Sequence, residues 1–114
     1  MRHIVLSLIM LCFYAASGFA QAADLIVYSG RSDKFVKPVV KAFTSETGIK
    51  VTIHSGSSTA LLNKLKLEGN RTSADIYISN DAGNLQKGSE MGLFQPVAKE
   101  TADVIPNNYR AEDN

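Results

Sequence analysis

Three short stretches concentrate the side chains able to do chemistry: Ser29-Gly30-Arg31-Ser32, Ser55-Gly56-Ser57-Ser58-Thr59 and Ser79-Asn80-Asp81. Together they offer hydroxyls, one amide, one carboxylate and one guanidinium beside glycine-loosened backbone N–H groups. This donor-rich set suits an oxyanion, or a metal carrying one, and Arg31 adds a planar fork that grips two oxygens at once. Catalysis fits poorly. A nucleophile elbow reads Gly-x-Ser-x-Gly, and no glycine stands two places after Ser57 or Ser58. Neither a Walker lysine nor a Gly-x-Gly-x-x-Gly phosphate loop occurs. His54 has no Cys, His or acidic companion at metal-ligand spacing and is read as a packing or surface residue. A hydrolase is therefore the least favoured reading, and no metal ligand is assigned.

Each polar stretch follows an apolar run and precedes an amphipathic one closed by glycine. The runs Leu25 to Tyr28, Lys50 to His54 and Ala74 to Ile78 read as strands, the first continuous and so covered on both faces. The helices follow the Asp33 cap up to Gly48, the Ser55 to Ser58 turn up to Gly69, and run from Asn84 to Met91 before Gly92. In the first, Phe35, Val36, Val39, Val40 and Phe43 share the face expected to be buried, Asp33 is the expected cap, and Pro38 lies close to the first turn. In the second the buried face is Ala60, Leu61 and Leu65, with Leu62 and the Glu68 stem beside it; the third is weakened by Gly88. Three βα units in succession imply right-handed crossovers and a parallel α/β sheet, so all three turns emerge at the carboxyl edge of the strands. Ser and Gly are also ordinary turn and cap residues, and Asp81 reads first as a cap. Arg31 stands out, because a long cation directly after Gly30 does nothing for a cap. The anion set is thus Arg31 with Ser29, Gly30, Ser57 and Ser58, and Ser32, Asn80 and Asp81 line the same cleft.

Composition places these units in an ordinary soluble domain, 45% hydrophobic and 20% charged. Arg2 and His3, the apolar run Ile4 to Phe19 and the small residues Ala20 and Ala22 read as a cleavable secretory leader over residues 1–22, too short and too interrupted for a lasting membrane span. Loss of Arg2 leaves 11 basic and 11 acidic side chains, a balance that implies no nucleic-acid partner. Cys12 lies within the leader behind bulky Leu11, unlike a lipidation site, so the exported chain carries no cysteine and relies on its apolar core. N-terminal sequencing of exported material is expected to begin at Ala23; a Met1 start in the membrane fraction would contradict this.

The run Val27-Tyr28-Ser29-Gly30-Arg31, then Ala42-Phe43, Glu46 to Val51, Glu68-Gly69, Ser73-Ala74-Asp75-Ile76 and Asp81-Ala82-Gly83 resembles, in order, the periplasmic iron(III)-binding proteins. The resemblance implies a type 2 periplasmic-binding-protein lobe. It further implies a two-lobed protein that closes on its ligand and passes it to an ABC importer permease. Iron(III) would be held largely by tyrosines of the second lobe with a synergistic, carbonate-like anion. Some members carry a histidine ligand where this chain has Ser32 and an acidic one where it has Asn80; others carry Gly-Arg-Ser, with the arginine suited to the anion. Arg31 is the residue the resemblance carries over. Ser57 and Ser58 keep a molybdate-type or other small-anion binder of the same superfamily as the alternative. Members run to about 300 residues, a length at which chains divide into two lobes. Residues 23–114 are accordingly expected to be part of an N-terminal lobe, with its sheet incomplete and no tight iron binding of its own.

Overall fold

The computed structural model describes residues 23–111. The expected leader and its cleavage site lie outside these residues. Strands β1 (Leu25–Ser29), β2 (Val51–Ser55) and β3 (Ile76–Ile78) form one parallel sheet in the order β2-β1-β3. They alternate with helices α1 (Asp33–Thr47), α2 (Ser58–Glu68) and α3 (Ala82–Glu90), and a short α4 (Lys99–Ala102) follows. The chain therefore steps from β1 outward to β2, then back across β1 to β3. The α/β class and the parallel βα units expected from the sequence are present.

Register explains the layering. Val27 stands beside Ile53 on one side and Ile76 on the other, so Leu25, Val27, Val51, Ile53, Ile76 and Ile78 share one face, and Ile26, Tyr28 and Tyr77 the opposite one. The second face is well filled: Tyr28, Leu61 and Leu65 form a core onto which Ile26, Ala74, Tyr77 and Leu93 pack. On α2 the buried stripe is Leu61, Leu62 and Leu65, while Ala60, in the first turn with its N–H on the Ser57 cap, is exposed, contrary to expectation. Gly88 is more than a weak point in α3. It is buried, and a Cβ there would come within 2.2 Å of the Phe94 ring, so glycine lets Phe94 stack on Tyr77 at 5.9 Å.

The first face is only half covered. Helix α1 buries Val36 but leaves Phe35 52% and Val39 67% exposed, where the helical pattern placed both in the core. The reason is lateral position: α1 packs against β2 and leaves the β3 side without a cover. A groove of roughly 410 Å³ remains, lined by Val27, Val36, Val40, Phe43, Ile76 and Ile78 among others.

Two details of α1 also differ from expectation. Ser32, not Asp33, precedes the helix, and it makes no side-chain cap bond. Asp33 is the first helical residue; its carboxylate pairs with Lys37 at 2.8 Å and accepts the Ser55 hydroxyl at 2.6 Å. Pro38 lies beyond the first turn, yet α1 runs through it to Thr47 and closes on Gly48, whose left-handed φ of 73° directs its N–H to the Thr44 carbonyl.

Across the core, the Tyr28 hydroxyl donates to both Glu68 carboxylate oxygens at 3.1 Å, and Thr72 donates to the same group at 2.8 Å. The Thr72 hydroxyl, then Tyr28 and Lys64, hold the Glu68 carboxyl below its ordinary value. A carboxylate depressed in the folded state stabilises at pH above its unfolded value and ceases to do so as pH falls through the lower folded one. Glu68→Gln is therefore expected to flatten the acid limb of stability. Urea midpoints at about pH 7 and pH 3 test this, and an unchanged acid limb would contradict it.

Candidate functional site

The three turns meet at the carboxyl edge and are tied to one another. Gly30 N–H donates to the Ile78 carbonyl at 2.8 Å, and Gly56 N–H to the Ser29 carbonyl at 3.1 Å, so the turns after β1, β2 and β3 extend the sheet pairing past the strands. The Asn80 N–H donates to Ser58 Oγ at 3.0 Å, and its side-chain amide donates to the Gly30 carbonyl. Where β1 leads to α1 and β3 to α3, the chain parts toward opposite faces, which is where open α/β sheets form a ligand crevice.

Each candidate residue has a definite place here. Ser29 is fully buried; its Oγ accepts the Arg31 N–H at 3.2 Å and donates to the Arg31 carbonyl at 3.1 Å, so it shapes the turn. Gly30 is glycine by necessity, since a Cβ would lie 2.1 Å from Ser58 Oγ. Ser57 caps α2 by accepting the Ala60 N–H at 3.2 Å, and Ser58 is buried beneath Asn80. Both serine oxygens are thus occupied as acceptors, although each hydroxyl keeps a proton to donate. Asp81 caps α3, accepting the Asn84 N–H at 2.8 Å. The Asn84 side chain and backbone hold its carboxyl below the ordinary range. Asp81 is accordingly engaged on its own helix rather than with Arg31.

The exposed Arg31 guanidinium lies 4.9 Å from the centroid of the Phe35 ring, and the Lys34 ammonium lies at the same distance from that ring. Of the three helices that begin at this edge, α2 and α3 are capped by Ser57 and Asp81, and α1 has no side-chain cap. The first N–H groups of α1 and its positive dipole end therefore stand open beside Arg31 and Ser32, an arrangement able to receive an anion. His54 sits at the end of β2 with its ring 5.4 Å from Tyr28, a packing role. Among the described residues no three His, Cys, Asp or Glu side chains come together as a metal site. Sequence reasoning placed Asn80 in the cleft but missed its bonds to Gly30 and Ser58, and it missed the Arg31–Phe35 stack, which the spacing of four would have allowed.

Comparison with known proteins places the fold in a family. Residues 25–107 match the family described as bacterial extracellular solute-binding protein. The Fe(3+)-binding periplasmic protein of Serratia marcescens is 30% identical over 94% of this chain and 31% of its own length. The thiamine-binding periplasmic protein of Brucella abortus is 34% identical over 93% of this chain and 35% of its own length. The solved structure of iron-bound HitA from Pseudomonas aeruginosa superimposes with a TM-score of 0.76 at 25% identity, covering 80% of this chain and 30% of that one. The chain thus spans about a third of the length of these relatives. With a parallel βα lobe, turns gathered at one edge and a match across nearly all the described residues, the chain belongs to the bacterial extracellular solute-binding proteins.

Proposed function

We propose that this chain supplies the anion-recognising edge of the first lobe of a periplasmic protein that binds iron(III) with a carbonate-like anion and delivers it to an ABC permease. The observation that carries the reading is the open N-terminus of α1 beside the exposed Arg31, at an edge where the other two helices are already capped. Iron(III), here the cargo, is a hard cation that wants several anionic oxygens. The edge offers hydroxyls, an amide, a cation and two carboxylates, Asp33 and Asp81, both already engaged. An anion held by Arg31 and the α1 amides would reverse the local charge and bridge to the metal, with the remaining ligands coming from a second lobe. No helix among the described residues is long and apolar enough to cross a membrane. Binding rather than catalysis is the activity.

The test is an iron(III) titration, with and without bicarbonate, of this chain and of a full-length protein carrying it. This chain is expected to hold iron weakly. In the full-length protein Arg31→Ala should weaken anion-dependent binding by about tenfold or more, and Arg31→Lys should restore part of it, since an ammonium keeps charge but loses the fork. Tight binding by this chain alone, or an indifferent Arg31→Ala protein, would overturn the reading. The Brucella relative favours a second reading, an organic cation such as thiamine as cargo. Thiamine binding without iron binding in the same titrations would select it, and molybdate binding would select the small-anion alternative.

A further inference from the structure

We infer that Asn80 is a positioning residue for the anion site: its side-chain amide fixes the peptide that carries Arg31. The inference rests on the anion reading of Arg31. The Asn80 amide nitrogen lies 2.5 Å from the Gly30 carbonyl oxygen, a bond joining turns 50 residues apart in sequence. That carbonyl belongs to the peptide whose N–H is the Arg31 N–H, and this N–H is held in turn by Ser29 Oγ at 3.2 Å. The Gly30–Arg31 peptide is therefore gripped at both ends, by a hydroxyl from β1 and by an amide from beyond β3. The Asn80 backbone N–H holds Ser58 Oγ at 3.0 Å, so one residue registers the turns after all three strands. Gly30 is what allows this junction to close, since any side chain there would meet Ser58.

The consequence is specific. With the peptide fixed, the Arg31 side chain leaves the backbone in one direction and rests on Phe35 beside the open α1 N-terminus. Without the Asn80 amide the peptide can rotate, and the guanidinium and the α1 amides no longer converge on one anion. Because the bond to Ser58 comes from the Asn80 backbone, substitutions of the side chain leave it in place and the lobe should stay folded.

The experiment measures amide hydrogen exchange and bicarbonate-induced amide shifts in this chain, as wild type, Asn80→Ala and Asn80→Gln. Asn80→Ala is expected to speed exchange of the Arg31 N–H by about five- to tenfold, as loss of one hydrogen bond implies, while Tyr28 in the strand exchanges as before. Bicarbonate affinity at Arg31 should fall by a similar factor, and Asn80→Gln, which keeps the amide on a longer arm, should recover part of both. Unaltered Arg31 exchange in Asn80→Ala would overturn the inference, as would altered exchange with unchanged bicarbonate affinity. If the wild type itself shows no bicarbonate shift at Arg31, the anion reading fails and takes the functional role of Asn80 with it, whatever the exchange shows. If Asn80→Ala does not fold, Asn80→Gln decides: intermediate exchange and affinity support the inference, and wild-type exchange with lost affinity contradicts it.

Discussion

Gly30→Ala is expected to destabilise the lobe by about 3 kcal/mol, a large share of the stability of a marginal domain. The added Cβ would lie 2.1 Å from Ser58 Oγ, 2.8 Å from its Cα and 2.9 Å from its backbone nitrogen. A side chain could rotate away, but two of these atoms belong to the first turn of α2, so β1 and α2 would have to part. The Gly30 N–H bond to Ile78 and the Asn80 bonds to Gly30 and Ser58 would be strained together. Gly48→Ala is the control. Gly48 has φ 73° but nothing within 4 Å of a built Cβ, so it should cost only the left-handed strain, about 1 kcal/mol. Urea unfolding of the two variants should rank them in this order. Ser58→Gly in the Gly30→Ala background removes the hydroxyl but not the backbone contacts, and should rescue only partly. Equal midpoints for the two alanine variants would show that the close approach at Gly30 is not structural.

This chain is also expected to self-associate with rising concentration. The apolar groove beside α1 leaves Phe35, Val39 and Ile76 at 52%, 67% and 45% exposure, and β2 and β3 are both edge strands of the described sheet. Nothing electrostatic opposes contact, because residues 23–114 carry equal numbers of acidic and basic groups. A short parallel sheet without disulfides has little stability in reserve. Sedimentation of residues 23–114 should show association, and Val39→Glu with Ile76→Lys should shift them toward monomer by about tenfold, as charging two apolar contact positions implies. A stable wild-type monomer with a sharp, cooperative unfolding transition would contradict this prediction.

The backbone plan was readable because it rests on local signals. Leu25 to Tyr28, Lys50 to His54 and Ala74 to Ile78 are strand-like runs closed by polar turns, and the glycines at 48, 69 and 92 end helical patterns. The strands observed are Leu25–Ser29, Val51–Ser55 and Ile76–Ile78, so the elements and their common edge follow from the sequence while the ends differ by one or two residues. Helical periodicity placed Phe35 and Val39 in the core because it reports which face is apolar, not whether anything covers it; the cover over β3 is missing from the described residues. Residue type alone favours Asp33 as the cap, yet its carboxylate is satisfied by Lys37 and by Ser55, the latter arriving from β2. The same non-locality hid the role of Asn80. Its importance depends on the Gly30 carbonyl lying within reach, and only the crossing of the chain from β2 to β3 brings the two together. Arg31 was legible as an oddity of composition, a cation where caps prefer short oxygen side chains, and its resting place on Phe35 was not.

Anion capture at the α1 N-terminus is tested most directly by a bicarbonate titration followed at each backbone amide of this chain, in the Val39→Glu, Ile76→Lys background. If the open α1 N-terminus and Arg31 receive the anion, the amides of Ser32, Asp33 and Lys34 and the Arg31 guanidinium should shift together and saturably, with Arg31→Ala abolishing the response. Absence of any saturable shift there, or shifts centred on the capped turn at Ser57 and Ser58 and indifferent to Arg31→Ala, would contradict the account.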